Sequence, residues 1–182
     1  MDQRYGRPPT LNRPIDDLAA LDPARFDASF DRAFSIVAFV MNRHLVDHML
    51  RSARRFDIDF ETLVVWAVLA HQNCAHLMPP GSLPSKVLQD DGRLGSEYDR
   101  ALRPLRLRDV AQITHIPRET VRRKLNILRE LGWIVEAEQG WMLNRDKTDP
   151  ELREFTLETA RRFLAAASDV VRALRDAEKQ IG

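Results

Sequence analysis

Apolar residues return every three or four positions along two long stretches of this chain, and that spacing commits most of its length to helices. In the first stretch, Phe26, Phe30, Phe34, Val37, Met41, Leu45, Met49 and Phe56 share one helical side. Asp22 can cap it and Pro23 suits a first helical position, so it reads as one long helix or as two joined near Asp27. In the last stretch, Leu152, Phe155, Leu157, Ala160, Phe163, Leu164, Ala167, Val170, Val171 and Leu174 form the stripe of a helix that begins at Asp149 or Pro150 and runs to about Ile181. Between them Asp59 can cap a third run through Leu63, Val64, Trp66, Ala67, Leu69 and Ala70, ending before Pro79 and Pro80. That run is apolar nearly all round and is expected to be buried.

Proline and glycine punctuate the rest. Pro8, Pro9 and Pro14 keep residues 1–21 from sustaining a helix, which predicts a flexible arm. Residues 79–99 hold Pro-Pro-Gly, Pro84, Asp90-Asp91-Gly92 and Gly95, the composition of a long loop insert. Order resumes at 103–107 as a short strand, then at 108–114 as a short helix with Val110, Ala111 and Ile113 inward. Pro117 opens a longer helix to Leu131, with Val121, Leu125, Leu128 and Leu131 along one face, and Gly132 stops it. Residues 133–136 and 141–143 alternate like two strands around Gln139-Gly140. No internal repeat is visible.

At 182 residues the chain fits one domain, and a hydrophobic fraction of 44% can build a core. A single cysteine, Cys74, forms no internal disulfide, and residues 1–10 lack the apolar core of a signal peptide, so a cytoplasmic protein is expected. Apolar runs such as 63–70 fall far short of the ~20 residues that span a bilayer. No phosphate-binding glycine loop, nucleophile elbow or paired-carboxylate motif is present, so neither an enzyme nor a cofactor is expected.

Charge is balanced in total and segregated in place. The window 100–132 carries nine basic residues (Arg100, Arg103, Arg106, Arg108, Arg118, Arg122, Arg123, Lys124, Arg129) against Asp109, Glu119 and Glu130. The other 149 residues hold 19 basic and 24 acidic, so one basic element sits on an acidic body. Such segregation is the electrostatic footprint of a nucleic-acid reader. Its plain counterpart is a solvated helix face. The division of the 118–131 helix into an apolar seam and a charged side that holds Arg118, Glu119, Arg122, Arg123 and Arg129 favours the reader.

The segment from Leu107 to Ile134 resembles the winged helix-turn-helix of bacterial transcription regulators, carried by Ala111 where two helices cross, Ile116 in the turn, Pro117 before the second helix, Val121 and Leu125 as its anchors, and Gly132 before the hairpin. Within it, Arg118-Glu119-Thr120-Val121-Arg122-Arg123 is similar to the recognition-helix start of the catabolite-activator family. That likeness implies base contacts by Arg118, Glu119 and Arg123; arginine suits the paired acceptors of guanine and a carboxylate the amino group of cytosine. It does not imply cyclic-nucleotide sensing, because this chain has helices where that family has a β-roll. Arg106, Arg108, Thr120, Arg122 and Lys124 are left to contact phosphates.

The order of elements along the whole chain resembles the MarR family of dimeric regulators. The resemblance implies a mainly α fold: a winged helix-turn-helix with long N- and C-terminal dimerisation helices and a small β-hairpin wing. On this reading the chain is one domain over 22–182: dimerisation and buried helices at 22–78, the winged helix-turn-helix at 100–145 and the last dimerisation helix at 149–181, with the loop insert at 79–99 as a departure from that family. Its partners would be duplex DNA and a second copy, with room for a small-molecule effector and none for a membrane. The tip Glu136-Ala137-Glu138-Gln139 is acidic, which leaves Arg145 and Lys147 as the wing's cations.

Two further constellations compete for attention. His44 and His48 stand four apart on the first helix, and His71, Cys74 and His76 lie on the second; together they would suit a zinc or oxidation sensor. No closed four-ligand spacing accompanies them, so polar residues without a metal are the expectation. Trp66, Trp133 and Trp141 read as packing residues rather than base-stacking platforms. The rival to DNA binding is a winged-helix protein-interaction module that uses its long helices only to dimerise.

Overall fold

The computed structural model describes residues 21–77 and 101–181. The expected arm, apart from Leu21, and the expected 79–99 insert lie outside the described residues. Among the described residues the main elements follow in order: α1 (Phe26–Phe56), α2 (Phe60–Cys74), α3 (Leu107–Thr114), α4 (Arg118–Glu130), β1 (Ile134–Ala137), β2 (Gly140–Leu143) and α5 (Arg145–Glu178). The described fold is mainly helical, with one small antiparallel sheet. None of the described helices is long and apolar enough to cross a membrane. The described residues fall into two compact units, 21–55 with 152–181, and 56–77 with 101–151.

The first unit pairs the two long helices. Asp22 caps a 3-10 turn at Pro23–Arg25, its Oδ1 accepting from the Ala24 amide at 2.9 Å, and α1 then runs unbroken, which settles the one-or-two question at Asp27. Ala33 and Val37 pack on Leu174 and Ala177, with Phe30 and Val170 beside them. Farther along, four charges close a ring. Arg51 Nε donates to Asp47 at 3.0 Å, Arg162 lies 3.6 Å from the same carboxylate and 2.7 Å from Glu158, and Glu158 lies 3.7 Å from Arg51. Alternating signs let these half-buried groups compensate one another.

The second unit is built on α2. Asp59 caps it as expected, its Oδ1 accepting from the Thr62 amide at 2.9 Å and its Oδ2 from the Thr62 hydroxyl at 2.9 Å. Its Val65, Trp66 and Leu69 are buried, and the helix packs against α3, α4 and β2. Phe60 and Val64 stay exposed, so the helix is buried on one side rather than all round. Trp66 and Trp133 meet at 4.5 Å between ring centroids, with Phe56 edge-on to both, which makes them core residues.

The expected strand at 103–107 contracts to one residue: Leu105 bridges Trp141, accepting from its amide at 2.9 Å and donating to its carbonyl at 3.0 Å. Buried Asn73 explains why the segment stays. Its Nδ2 donates to the carbonyls of Arg103 and Trp141 at 2.7 and 3.2 Å, and its Oδ1 accepts from the Leu143 amide at 3.0 Å. One amide side chain thus ties the end of α2 to the hairpin and to the strand-like segment.

The last helix starts at Arg145, four residues before Asp149. Pro150 lies inside it, because the first turn is already held from Asn144, whose carbonyl accepts from the Thr148 amide and hydroxyl, each at 3.0 Å. The proline removes one bond near the helix start rather than nucleating the helix.

Candidate nucleic-acid interface

The connection from α3 to α4 is three residues, His115 to Pro117. His115 adopts the left-handed conformation (φ 56°) that ends α3. Thr114 Oγ1 donates to the Val110 carbonyl at 2.8 Å and accepts from the Ile116 amide at 3.3 Å, so the turn is hydrogen-bonded at its corner. At its far end α4 closes with the Trp133 amide donating to the Leu128 carbonyl and the Gly132 amide to the Arg129 carbonyl, 3.0 and 2.9 Å. With Gly132 at φ 75°, this is a complete Schellman motif.

On α4 Val121, Leu125 and Leu128 are fully buried, while Arg118, Glu119, Arg122, Arg123 and Arg129 are exposed. At about 3.6 residues per turn, Glu119 and Arg123 lie on the side opposite the buried seam. Arg118 and Arg123 form no ion pair with any described residue. Arg122 does: its Nε donates to Glu119 Oε2 at 3.0 Å and its Nη2 to Oε1 at 2.6 Å. The hydrogen bonds lower the Glu119 pKa and raise that of Arg122, so both stay ionised.

Other predicted contacts scatter. Arg106 is exposed at the N-cap position of α3, and exposed Arg108 lies 3.2 Å from Asp109. Thr120 is half-buried. Lys124 is buried on the seam side, its Nζ 2.8 Å from both Asp59 oxygens and 3.4 Å from Glu61. It is turned to the protein, so it is removed from the phosphate set: the helix period puts position 124 beside Leu125 and Leu128. Arg145 and Lys147 fall in the first turn of α5 rather than on the wing, because the hairpin already ends at Leu143. The hairpin itself pairs Ala137 with Gly140 and Glu136 with Trp141, and its Glu136 lies 3.7 Å from Arg129.

Of His44, His48, His71 and His76, none lies on α3 or α4. His44 and His48 stack at 6.5 Å between ring centroids on α1, and His48 meets Phe155 at 5.9 Å. Burial first, then the charges of Arg51 and His44, lower the His48 pKa against a smaller opposing effect of Asp47. His71 is exposed, Cys74 is half-buried, and the His76 ring lies 2.8 Å from the Ala101 carbonyl. Among the described residues no group of three or more His, Cys, Asp or Glu is arranged to hold a metal.

One residue, Asn73, and one pairing, Glu119 with Arg122, are not among the sequence expectations. Asn73 was signalled only as a polar residue in an apolar run, and the Glu119–Arg122 pair by its i, i+3 spacing. No family model, curated protein or solved structure matches this chain.

Proposed function

We propose that this chain is a winged helix-turn-helix transcription regulator that binds duplex DNA sequence-specifically as a homodimer. The observation that carries the reading is the two-sided α4: a fully buried seam of Val121, Leu125 and Leu128, and exposed Arg118 and Arg123 that form no ion pair with any described residue. Cations with no work in the fold are available to phosphates and base edges, and the order α3, turn, α4, hairpin is the one a winged helix-turn-helix uses. Arg118 and Arg123 take guanine edges, with Arg106, Arg108 and Thr120 toward phosphates. The second copy covers α1, on which Phe34, Ile36, Phe39, Met41, Leu45, Val46 and Met49 are all exposed. A helix apolar on several sides is one that is surrounded.

Selection of bound duplexes from a random pool tests this. A defined motif is expected, with affinity that falls on a log-log salt slope of about −0.9 per phosphate neutralised. Arg123→Ala should cost about 1–3 kcal/mol at one base pair. Binding that selects no sequence and ignores salt would favour the protein-interaction module instead.

A further inference from the structure

Among the cations of α4, Arg122 alone is gripped by a carboxylate of its own helix. The Glu119 oxygens take its Nε–H and one Nη2–H, at 3.0 and 2.6 Å. A guanidinium carries five N–H donors, so three remain, and the Nη1 and Nη2 hydrogens at its outer end still form a planar pair. That pair is spaced for two adjacent acceptors. Because Glu119 lies opposite the buried seam, the ion pair also draws the Arg122 head toward the middle of the exposed face.

We propose that Glu119 and Arg122 act as one unit that reads a guanine, Arg122 donating its outer pair to O6 and N7 while Glu119 positions it. This rests on the duplex-DNA reading above, and it departs from the sequence expectation on both residues, which gave Glu119 a cytosine and Arg122 a phosphate. Two physical arguments select it. A phosphate docked on Arg122 would bring its negative charge toward the Glu119 carboxylate, whereas a neutral base edge brings none. A guanidinium already fixed in a two-bond fork loses less side-chain freedom on docking than a free one, so its bidentate contact discriminates well. Glu119 is therefore a positioning residue: both of its oxygens face Arg122, and its effect on sequence choice runs through that side chain.

The test is selection from a random duplex pool by the full chain, run side by side for wild type, Arg122→Ala, Arg122→Lys, Glu119→Ala and Glu119→Gln, with thermal melting of each to confirm folding. The expected result is that all four variants lose roughly 5- to 100-fold of discrimination at the same G·C pair. Combining Glu119→Ala with Arg122→Ala should lose no more there than Arg122→Ala alone. Arg122→Lys should keep the salt slope of the wild type while losing the guanine, since an ammonium keeps the charge and lacks the fork. Loss of a different base pair in the Glu119 variants would overturn the proposal, because Glu119 would then read a base itself. Equal weakening of every sequence by Arg122→Ala, with a salt slope shallower by about 0.9, would also overturn it in favour of a phosphate contact. If the wild type selects no sequence, the DNA reading falls and this proposal falls with it.

Discussion

Lys124 Nζ lies 2.8 Å from both carboxylate oxygens of Asp59, 65 positions earlier in the chain. Asp59 is also the N-cap of α2, so one carboxylate holds the start of that helix and receives a cation from α4. The lysine side chain is 8% exposed and the aspartate 54%, so the ammonium is the desolvated partner and the carboxylate keeps its water. Such a pair fixes the placement of α4, on which every predicted base contact sits.

Replacing Lys124 should therefore affect folding more than salt-dependent binding. Lys124→Met keeps most of the apolar stem and leaves Asp59 and Glu61 to water, for a cost of about 1–2 kcal/mol. Lys124→Ala also removes the stem from the seam and should cost more, about 2–3 kcal/mol. Denaturant unfolding measures both. A salt slope for DNA binding unchanged in Lys124→Met would confirm that the lysine touches no phosphate, and a slope shallower by about 0.9 would show that it does.

The same pair sets an acid limit. Burial alone would raise the Asp59 pKa, but hydrogen bonds from Lys124 and from the Thr62 amide and hydroxyl outweigh it and hold the group at about 2, below its ordinary 3.8. A carboxyl depressed on folding stabilises the native state fully above its unfolded pKa, and that contribution is lost as pH falls from about 4 toward 2. With half of the side chain in water, screening reduces the effect to the order of 1 kcal/mol. Asp59→Asn should flatten the stability profile across that window while lowering stability at neutral pH. Parallel profiles for variant and wild type between pH 4 and 2 would refute the assignment.

How much of this was legible in the sequence follows from what each residue signals locally. Asp22, Asp59 and Gly132 announce their caps because the chemistry of a helix end is decided within a few residues. The seam of Val121, Leu125 and Leu128 is likewise written in its own period. The Lys124 ion pair is not legible because a charged residue next to a seam reads as solvated until its distant partner is known, and Asp59 caps a different helix. Pro150 misled for the opposite reason: a strong local start signal was overridden by Asn144, whose carbonyl had already begun the helix. The Leu105 bridge depends on Asn73 and Trp141, neither near it in sequence, and no local pattern encodes such a contact.

Gly132 and Gly140 should rank by space rather than by dihedral angle alone. A Cβ on Gly140 would stand 2.5 Å from the Leu105 carbonyl oxygen, at φ 145°, so alanine there must push the bridging segment away. A Cβ on Gly132, at φ 75°, meets nothing within 4 Å, and alanine costs only the left-handed strain, about 1–2 kcal/mol. Gly140→Ala should therefore destabilise by more than Gly132→Ala, by about 2–4 kcal/mol in all, through strain plus loss of the Leu105–Trp141 bonds. Chemical denaturation of the two variants decides it, and equal costs would mean that the 105 segment yields freely.

The apolar side chains on α1 make the last prediction, about assembly. Phe34, Met41, Leu45 and Met49 are spaced seven, four and four apart and all are exposed, so they form an apolar stripe along one side of the helix. A second copy laid on this stripe would bury them, and a charge at its centre would be desolvated without a partner. Leu45→Glu should therefore convert a dimer into a monomer at micromolar concentration, read by sedimentation or light scattering, with little loss of stability within each monomer because the residue is exposed there. In a two-fold dimer the copies of α4 enter successive major grooves, so the wild type should select inverted repeats with half-site centres about 10 base pairs apart. The Leu45→Glu monomer should select a single half-site with the same base preferences and far weaker affinity. Wild-type protein of monomer mass would refute the assembly, and a Leu45→Glu variant that still selects the full repeat would place the interface elsewhere on the chain.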